Sequence, residues 1–289
     1  MRLPLAALCL ALLTAPAAAG EPLLTVEALV SPAWLERDGV REPLAVGDAL
    51  GEGARIVTGP RSRARLRMGE GSAVKLGEQA HFTVEQLKSE PRGESSSWQG
   101  VLDIARGAFR YTGARLAEAP GRDLKFRVNS LVAGIRGTDV WGKSDDAKDF
   151  VVLIEGRVTV VRAGEEIALD KPRSVLAAPR DGTPPPVGRI TARQLAALAA
   201  ETEILAGAGG AWSGGRYRVV VITTVDETYA RGLHERLRAG GYPAELRTVE
   251  QEGSPVYQVY LADLGGEREA RTVAQRLRAL GYAGARPAR

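Results

Sequence analysis

Arg61, Arg63, Arg65 and Arg67 alternate with Ser62, Ala64, Leu66 and Met68, which sets four guanidinium groups along one side of a strand about 7 Å apart. Such a row can take up an anionic partner. It can equally form a solvated face offset by acids on neighbouring strands, and it discourages edge pairing without any ligand. The solvated face is the expectation. Arg136 is the next cation of interest, because Gly134 and Gly137 bracket it within the run Leu131 to Trp141. The chain must turn tightly there around a side chain that either pairs internally, with Asp139 or Glu155, or faces a partner.

Against these cations no catalytic constellation stands. The two histidines, His81 and His234, fall in different expected domains, and His234 has no second ligand at helical spacing, so no metal site is expected. The chain has no nucleophile elbow, phosphate loop or dinucleotide fingerprint, and its carboxylates form no isolated pair. The expectation is a protein that is not an enzyme and needs no cofactor.

Arg2 precedes an apolar run from Leu3 to Leu13, and Ala17-Ala18-Ala19 follows. This is the pattern of a secretory leader, residues 1–19, with cleavage after Ala19. The run is too short to span a bilayer comfortably, and no later stretch approaches twenty apolar residues. Cys9 is the only cysteine and lies inside the leader, so the exported chain is expected to hold no disulfide and no thiolate metal site. A formal net charge of +4 with acids and bases interspersed gives no separate basic arm.

From 21 to 180 short apolar alternations with frequent glycine predict an all-β domain. Phe150 to Ile154 and Arg157 to Val161 read as two strands separated by Glu155-Gly156. Pro184, Pro185 and Pro186 mark a stiff connection within a linker over 181–215. Inside it a helix is predicted over 192–206, with Thr191 and Gln194 as a capping box and Ile190 stapling Leu195. Its stripe of Leu195, Leu198, Thr202 and Leu205 is expected to dock on a neighbouring domain. Ala208 to Gly215, rich in glycine, reads as a flexible hinge.

The remaining segment, 216–289, repeats itself at an offset of forty. Tyr217, Val219 and Val221 return as Tyr257, Val259 and Leu261, and Gly241-Tyr242 returns as Gly281-Tyr282. Arg231, Arg236 and Arg238 return as Arg271, Arg276 and Arg278. Each copy predicts a strand, an amphipathic helix and a terminating glycine. The resulting order β-α-β-β-α-β is an α+β domain in which two helices cover one face of a four-stranded antiparallel sheet. Alternation assigns Val219, Val221, Tyr257, Val259 and Leu261 to the covered face, leaving Arg218, Val220, Ile222, Gln258 and Tyr260 on the open one.

Two resemblances follow from these residues. Gly47-Asp48, the string Ile56-Val57-Thr58-Gly59-Pro60 with Arg61 to Met68, then Phe126 to Trp141 and Val152 to Val160, resembles the FecR domain family in order and spacing. The match implies a periplasmic β-rich interaction domain known from regulators of surface signalling. Those regulators place a cytoplasmic segment and a membrane helix ahead of it; the expected leader stands there instead, so signalling across the inner membrane is not expected. The C-terminal repeat resembles the SPOR domain, which implies binding of peptidoglycan glycan strands, especially those stripped of stem peptides at division sites, through the open sheet face.

In this chain the SPOR family's usual glutamine is Val220, its arginine is Gln258, and its two glycines are Ile222 and Ala262. Tyr260 can still stack on a sugar ring and Gln258 can bond hydroxyls. The apolar replacements suit a protein partner or the linker helix instead. The expected function is therefore a periplasmic envelope protein that binds glycan through Arg218, Val220, Gln258 and Tyr260. The alternative is a periplasmic adaptor, or surface-signalling component, whose SPOR-like domain does not bind glycan. RNA-recognition modules share the layout, but export and the lack of a basic, aromatic signature argue against nucleic acid.

Overall fold

Along strand Arg63–Met68 the side chains of Ala64, Leu66 and Met68 are buried, and the three arginines of the strand take the other face. That alternation is the general device of the N-terminal domain. The computed structural model describes residues 22–92, 95–114, 122–135, 138–181, 186–251 and 253–289. The expected leader with Cys9, the prolines at 184 and 185, and Arg136 lie outside them.

Two sheets share one long strand. Ser95–Thr112 pairs through its first half with His81–Arg92 and, in parallel, with Arg122–Val128. Through its second half it pairs with Ala73–Leu76 and Asp139–Ser144. The inner faces meet in an apolar core to which Leu24, Leu66, Val74 and Phe109 contribute from one sheet and Ile56, Phe82, Leu102 and Phe126 from the other. Phe109 stacks on Phe126 with ring centroids 5.0 Å apart, a contact that ties the two layers.

A second, smaller core lies on the outer face of the first sheet, where Trp141, Val152 and Val175 are covered by Ile190, Leu195 and Leu198. The latter two belong to helix α1, Ala192–Ala200. Its capping box is formed: Thr191 Oγ1 accepts from Gln194 N at 3.2 Å, and Gln194 Oε1 accepts from Thr191 N at 2.8 Å. The helix stops well before 206. Beyond it Glu201 is drawn to Lys143 at 2.9 Å, and Glu203 to Lys75 at 2.5 Å and Arg110 at 3.1 Å. These pairs lead the chain off the helical path, burying Thr202 and leaving Leu205 62% exposed.

The expected hinge at 208–215 is not free chain. Ala211–Trp212 is a short strand inserted between the domains, pairing with Ala28 and Leu29 on one side and with Leu264 on the other. Gly207, Gly209 and Gly210 donate their backbone N–H groups to the Glu269 carboxylate at 2.5, 2.5 and 3.0 Å. Glycine allows the backbone to wrap one carboxylate so closely, and a Cβ on Gly209 would meet Val273 Cγ2 at 2.9 Å. Within the linker Val187–Arg189 is a strand as well, pairing alongside Ser174–Pro179.

The C-terminal domain is a four-stranded antiparallel sheet in the order Ala244–Gln251, Ser254–Leu264, Tyr217–Thr224, Arg286–Ala288. Helices α2 (Glu227–Ala239) and α3 (Glu267–Ala279) cover one face, and their buried Leu233, Leu237, Val273 and Leu277 meet Val219, Val259 and Leu261 of the sheet. The forty-residue repeat is visible as repeated physics. Glu227 pairs with Arg231 as Glu267 pairs with Arg271, each at i, i+4. Both helices end in the same motif. Gly241 and Gly281 adopt φ of +80° and +98°, and Tyr242 N and Tyr282 N each donate to a leucine carbonyl, Leu237 or Leu277, at 3.0 Å.

Candidate functional site

On the sheet face away from the helices, direct cross-strand pairs gather the polar residues. Tyr260 stands opposite Glu245 on one side and Val220 on the other, and Val220 in turn faces Arg286. The Tyr260 hydroxyl donates to Glu245 Oε2 at 2.5 Å. The guanidinium carbons of Arg247 and Arg218 lie 5.0 and 5.9 Å from its ring centroid, within cation–π range. That hydrogen bond, followed by burial, holds the phenol above its ordinary value of 10.0. The ring is thus neutral and fixed.

Gln258 is equally constrained. Its Oε1 accepts from Arg247 Nε and Nη2 at 3.0 and 2.6 Å, and its Nε2 donates to Thr223 Oγ1 at 3.2 Å. Among the described residues Arg218 and Arg286 have no carboxylate within ion-pair distance. The face therefore offers one oriented aromatic ring with spare guanidinium donors at its side, a combination suited to sugar rings with hydroxyl and carboxylate groups.

Arg218, Gln258 and Tyr260 are brought together as the sequence predicts. Val220 shares their face but is only 4% exposed, between Tyr260 and Arg286, so it supports the ring and offers no contact surface of its own. Ile222 is not on this face. A bulge between Val220 and Ile222 shifts the register, and Ile222 pairs with Val259 and packs against the helix-side core. Glu245, Arg247, Thr223 and Arg286 are additional members that the sequence reading did not name. The order β-α-β-β-α-β expects a strand here, and in Ala244–Gln251 period-two alternation places Glu245 and Arg247 together; only the pairing register assigns them to Tyr260.

The arginine row divides. Arg63, Arg65 and Arg67 lie on the strand, where Arg65 Nε bonds Glu27 Oε2 at 2.5 Å as an acid on the neighbouring strand. Arg63 donates to the Ser62 carbonyl at 2.7 Å. Arg61 sits before the strand in a turn, at φ +58°, and does not continue their face. Asp139, one of the two partners considered for Arg136, is held by Arg110 through Nε at 2.9 Å and Nη2 at 2.7 Å. Burial and three nearby arginines lower the pKa of His81, burial being the larger cause; its Nδ1 lies 3.3 Å from Arg55 Nη2.

The domains meet through the helix layer, on the side opposite Tyr260. The Trp34 indole N–H donates to the Ala239 carbonyl at 3.1 Å, and Ala33 N donates to the Gly241 carbonyl at 3.0 Å. Arg41 lies 4.5 Å from the Trp34 ring centroid, on the β-domain side. Helix α1 is committed to the Trp141 surface, so it does not cover the open face.

Residues 54–159 match the family model described as FecR protein, and residues 213–286 match that described as SPOR domain. Both are non-catalytic binding or regulatory modules. No curated protein matches the chain. Two crystal structures of a "putative anti-sigma factor" from Parabacteroides distasonis ATCC 8503 are similar to it. One, at 1.65 Å resolution, has 14% identity and a TM-score of 0.41, covering 50% of this chain and 63% of its own. The other, at 2.50 Å, has 13% identity and a TM-score of 0.42, covering 78% and 90%. This chain therefore spans less than two thirds of the first of these relatives. Among the described residues no helix is long and apolar enough to cross a membrane.

Proposed function

We propose that this chain, which joins a FecR domain to a SPOR domain, is a non-enzymatic periplasmic protein that binds peptidoglycan glycan strands through the open face around Tyr260. The observation that carries the reading is the fixed Tyr260 ring with Arg218 and Arg247 beside it. Removing a stem peptide by amide cleavage leaves a carboxylate on the muramyl lactyl group. A guanidinium next to a sugar-stacking ring is matched to that product, whereas an attached peptide removes the charge and crowds the ring. Strands of this kind accumulate where the wall is being divided, so the protein is proposed to gather there.

The FecR domain acts as an interaction or sensing module carried to the wall. Its docking on the helix layer, through Trp34 and the turn after α2, leaves the Tyr260 face unobstructed. A sedimentation assay tests the reading. The chain from Gly20 onward is mixed with purified sacculi, with and without prior amidase treatment. Retention is expected to rise on the treated sacculi and to fall at least tenfold in Tyr260→Ala. Absence of retention on both would leave the adaptor reading, in which the same face captures a protein.

A further inference from the structure

A cleft of about 500 Å³ lies where the two domains meet, on the helix side of the C-terminal domain and therefore apart from Tyr260. One wall is Pro32, Pro60 and Arg61 of the β domain; the other is Gln275, Arg276, Ala279 and Leu280 of α3 and its end, with Tyr242 at the side. The size is that of a site for a small organic ligand. Most of the lining is apolar, and the two charged side chains in it, Arg61 and Arg276, carry the same sign.

No carboxylate lines the cleft, and among the described residues neither arginine has an acidic side chain within ion-pair distance. The nearby acids are otherwise engaged. Glu78 accepts from the Arg61 backbone N at 2.6 Å, and Glu269 is wrapped by the three glycine N–H groups. Burial, then the charge of Arg61, holds Arg276 below the ordinary arginine value. Tyr242 is pushed up by burial, so its hydroxyl is a neutral donor. Arg61 also sits at φ +58°, a backbone conformation that side chains with a β-carbon seldom adopt, with its N–H bonded to Glu78. Two like charges gathered in a half-enclosed apolar cleft repel each other, and an anion relieves both.

We propose that this cleft binds the terminal carboxylate of a short peptide, with the guanidinium groups of Arg61 and Arg276 taking the anion and Pro32, Pro60, Ala279 and Leu280 accommodating its last side chains. A carboxylate matches the planar fork of arginine, and the apolar walls select a carboxylate attached to an apolar residue over a free inorganic anion. Because residues from both domains supply the pair, occupancy also bridges the interface. A peptide end of this kind is found both on a wall stem peptide and on a protein chain.

The test is a titration of the chain from Gly20 onward with three probes: acetyl-Ala-Ala, acetyl-D-Ala-D-Ala and acetyl-Ala-Ala amide, followed by backbone NMR shifts. Both acids, or one of them, are expected to shift the amides of Arg61, Tyr242 and Arg276; the amide is not. Preference for the D form points to a stem peptide, and preference for the L form to a protein end. Arg61→Gln and Arg276→Gln are each expected to weaken binding about tenfold or more, the effect of one lost charged hydrogen bond. Unchanged melting and unchanged retention on sacculi for both variants would show that fold and glycan face are intact. Equal binding of acid and amide, full binding by the double variant, or no shift at millimolar probe would overturn the proposal. None of these outcomes depends on whether the Tyr260 face binds glycan.

Discussion

Trp34 lies against Gly241: a Cβ built on that glycine would meet Trp34 Cε2 at 2.6 Å, while its repeat counterpart Gly281 has nothing within 4 Å. The same helix-ending motif is therefore used once as a cap and once as a docking surface. Both glycines need φ above zero, so alanine at either costs about 1 kcal/mol from the backbone. Gly241→Ala must also displace a tryptophan, an overpacking effect of about 1 to 3 kcal/mol more. Thermal or denaturant unfolding of the two variants should show Gly241→Ala as clearly less stable than Gly281→Ala, with faster proteolysis between the domains. Equal losses would mean that the Trp34 contact contributes nothing.

Glu269 holds the interdomain segment by accepting from Gly207, Gly209 and Gly210. Glu269→Ala strands those donors, with an expected cost of about 2 to 3 kcal/mol. Hydrogen exchange at residues 207 to 213 should accelerate markedly in this variant while the cores of both domains remain protected. Unchanged exchange there would show that the glycines are held by something else.

Arg110 bridges Asp139 and Glu203, joining the β domain to the segment after α1. Hydrogen bonding to Asp139 is the main cause that raises its pKa, and the paired Asp139 side chain is only 13% exposed. Arg110→Met leaves that carboxylate without its cation and should cost about 3 kcal/mol at neutral pH. Arg110→Met with Asp139→Leu should recover much of the loss. If the double variant is as unstable as the single one, the pair is not what holds this junction.

The raised pKa of Tyr260 has a definite sign in solution. Its neutral, hydrogen-bonded form is favoured in the folded chain, so this contribution to stability is complete below the ordinary value of 10.0 and is lost as pH rises through the higher folded value. In tyrosinate absorbance titration, the component missing from Tyr260→Phe should ionise above 10. Glu245→Gln should bring that component down toward 10, since the hydrogen bond to Glu245 is the largest cause of the shift. A Tyr260 component already at 10 in the unaltered chain would contradict the geometry.

The repeat made the C-terminal fold readable, because what recurs at an offset of forty is the physics of a strand, a capped helix and a glycine turn. The β domain was readable from alternation such as that of Ala64, Leu66 and Met68. Features that depend on distant partners were not. Trp34 meets Ala239 across 205 positions, and Glu269 reaches back 60 positions or so to make an apparent glycine hinge rigid. Ile222 was assigned to the wrong face because alternation assumes an unbroken register and one bulge shifts it. Arg61 continued the arginine period in sequence, but its turn conformation sends it to the interdomain cleft.

Glycan recognition by the Tyr260 face is read most directly from the binding of defined glycan fragments. Calorimetric titration of the chain from Gly20 onward should show glycan oligosaccharides without stem peptides binding at least tenfold more tightly than the same oligosaccharides bearing them. Tyr260→Ala should abolish that difference, and Arg218→Ala should weaken binding of the stripped form about tenfold, the effect of one charged hydrogen bond. Equal affinity for both oligosaccharides, or binding that survives Tyr260→Ala unchanged, would mean that the Tyr260 face is not the site that recognises stripped glycan.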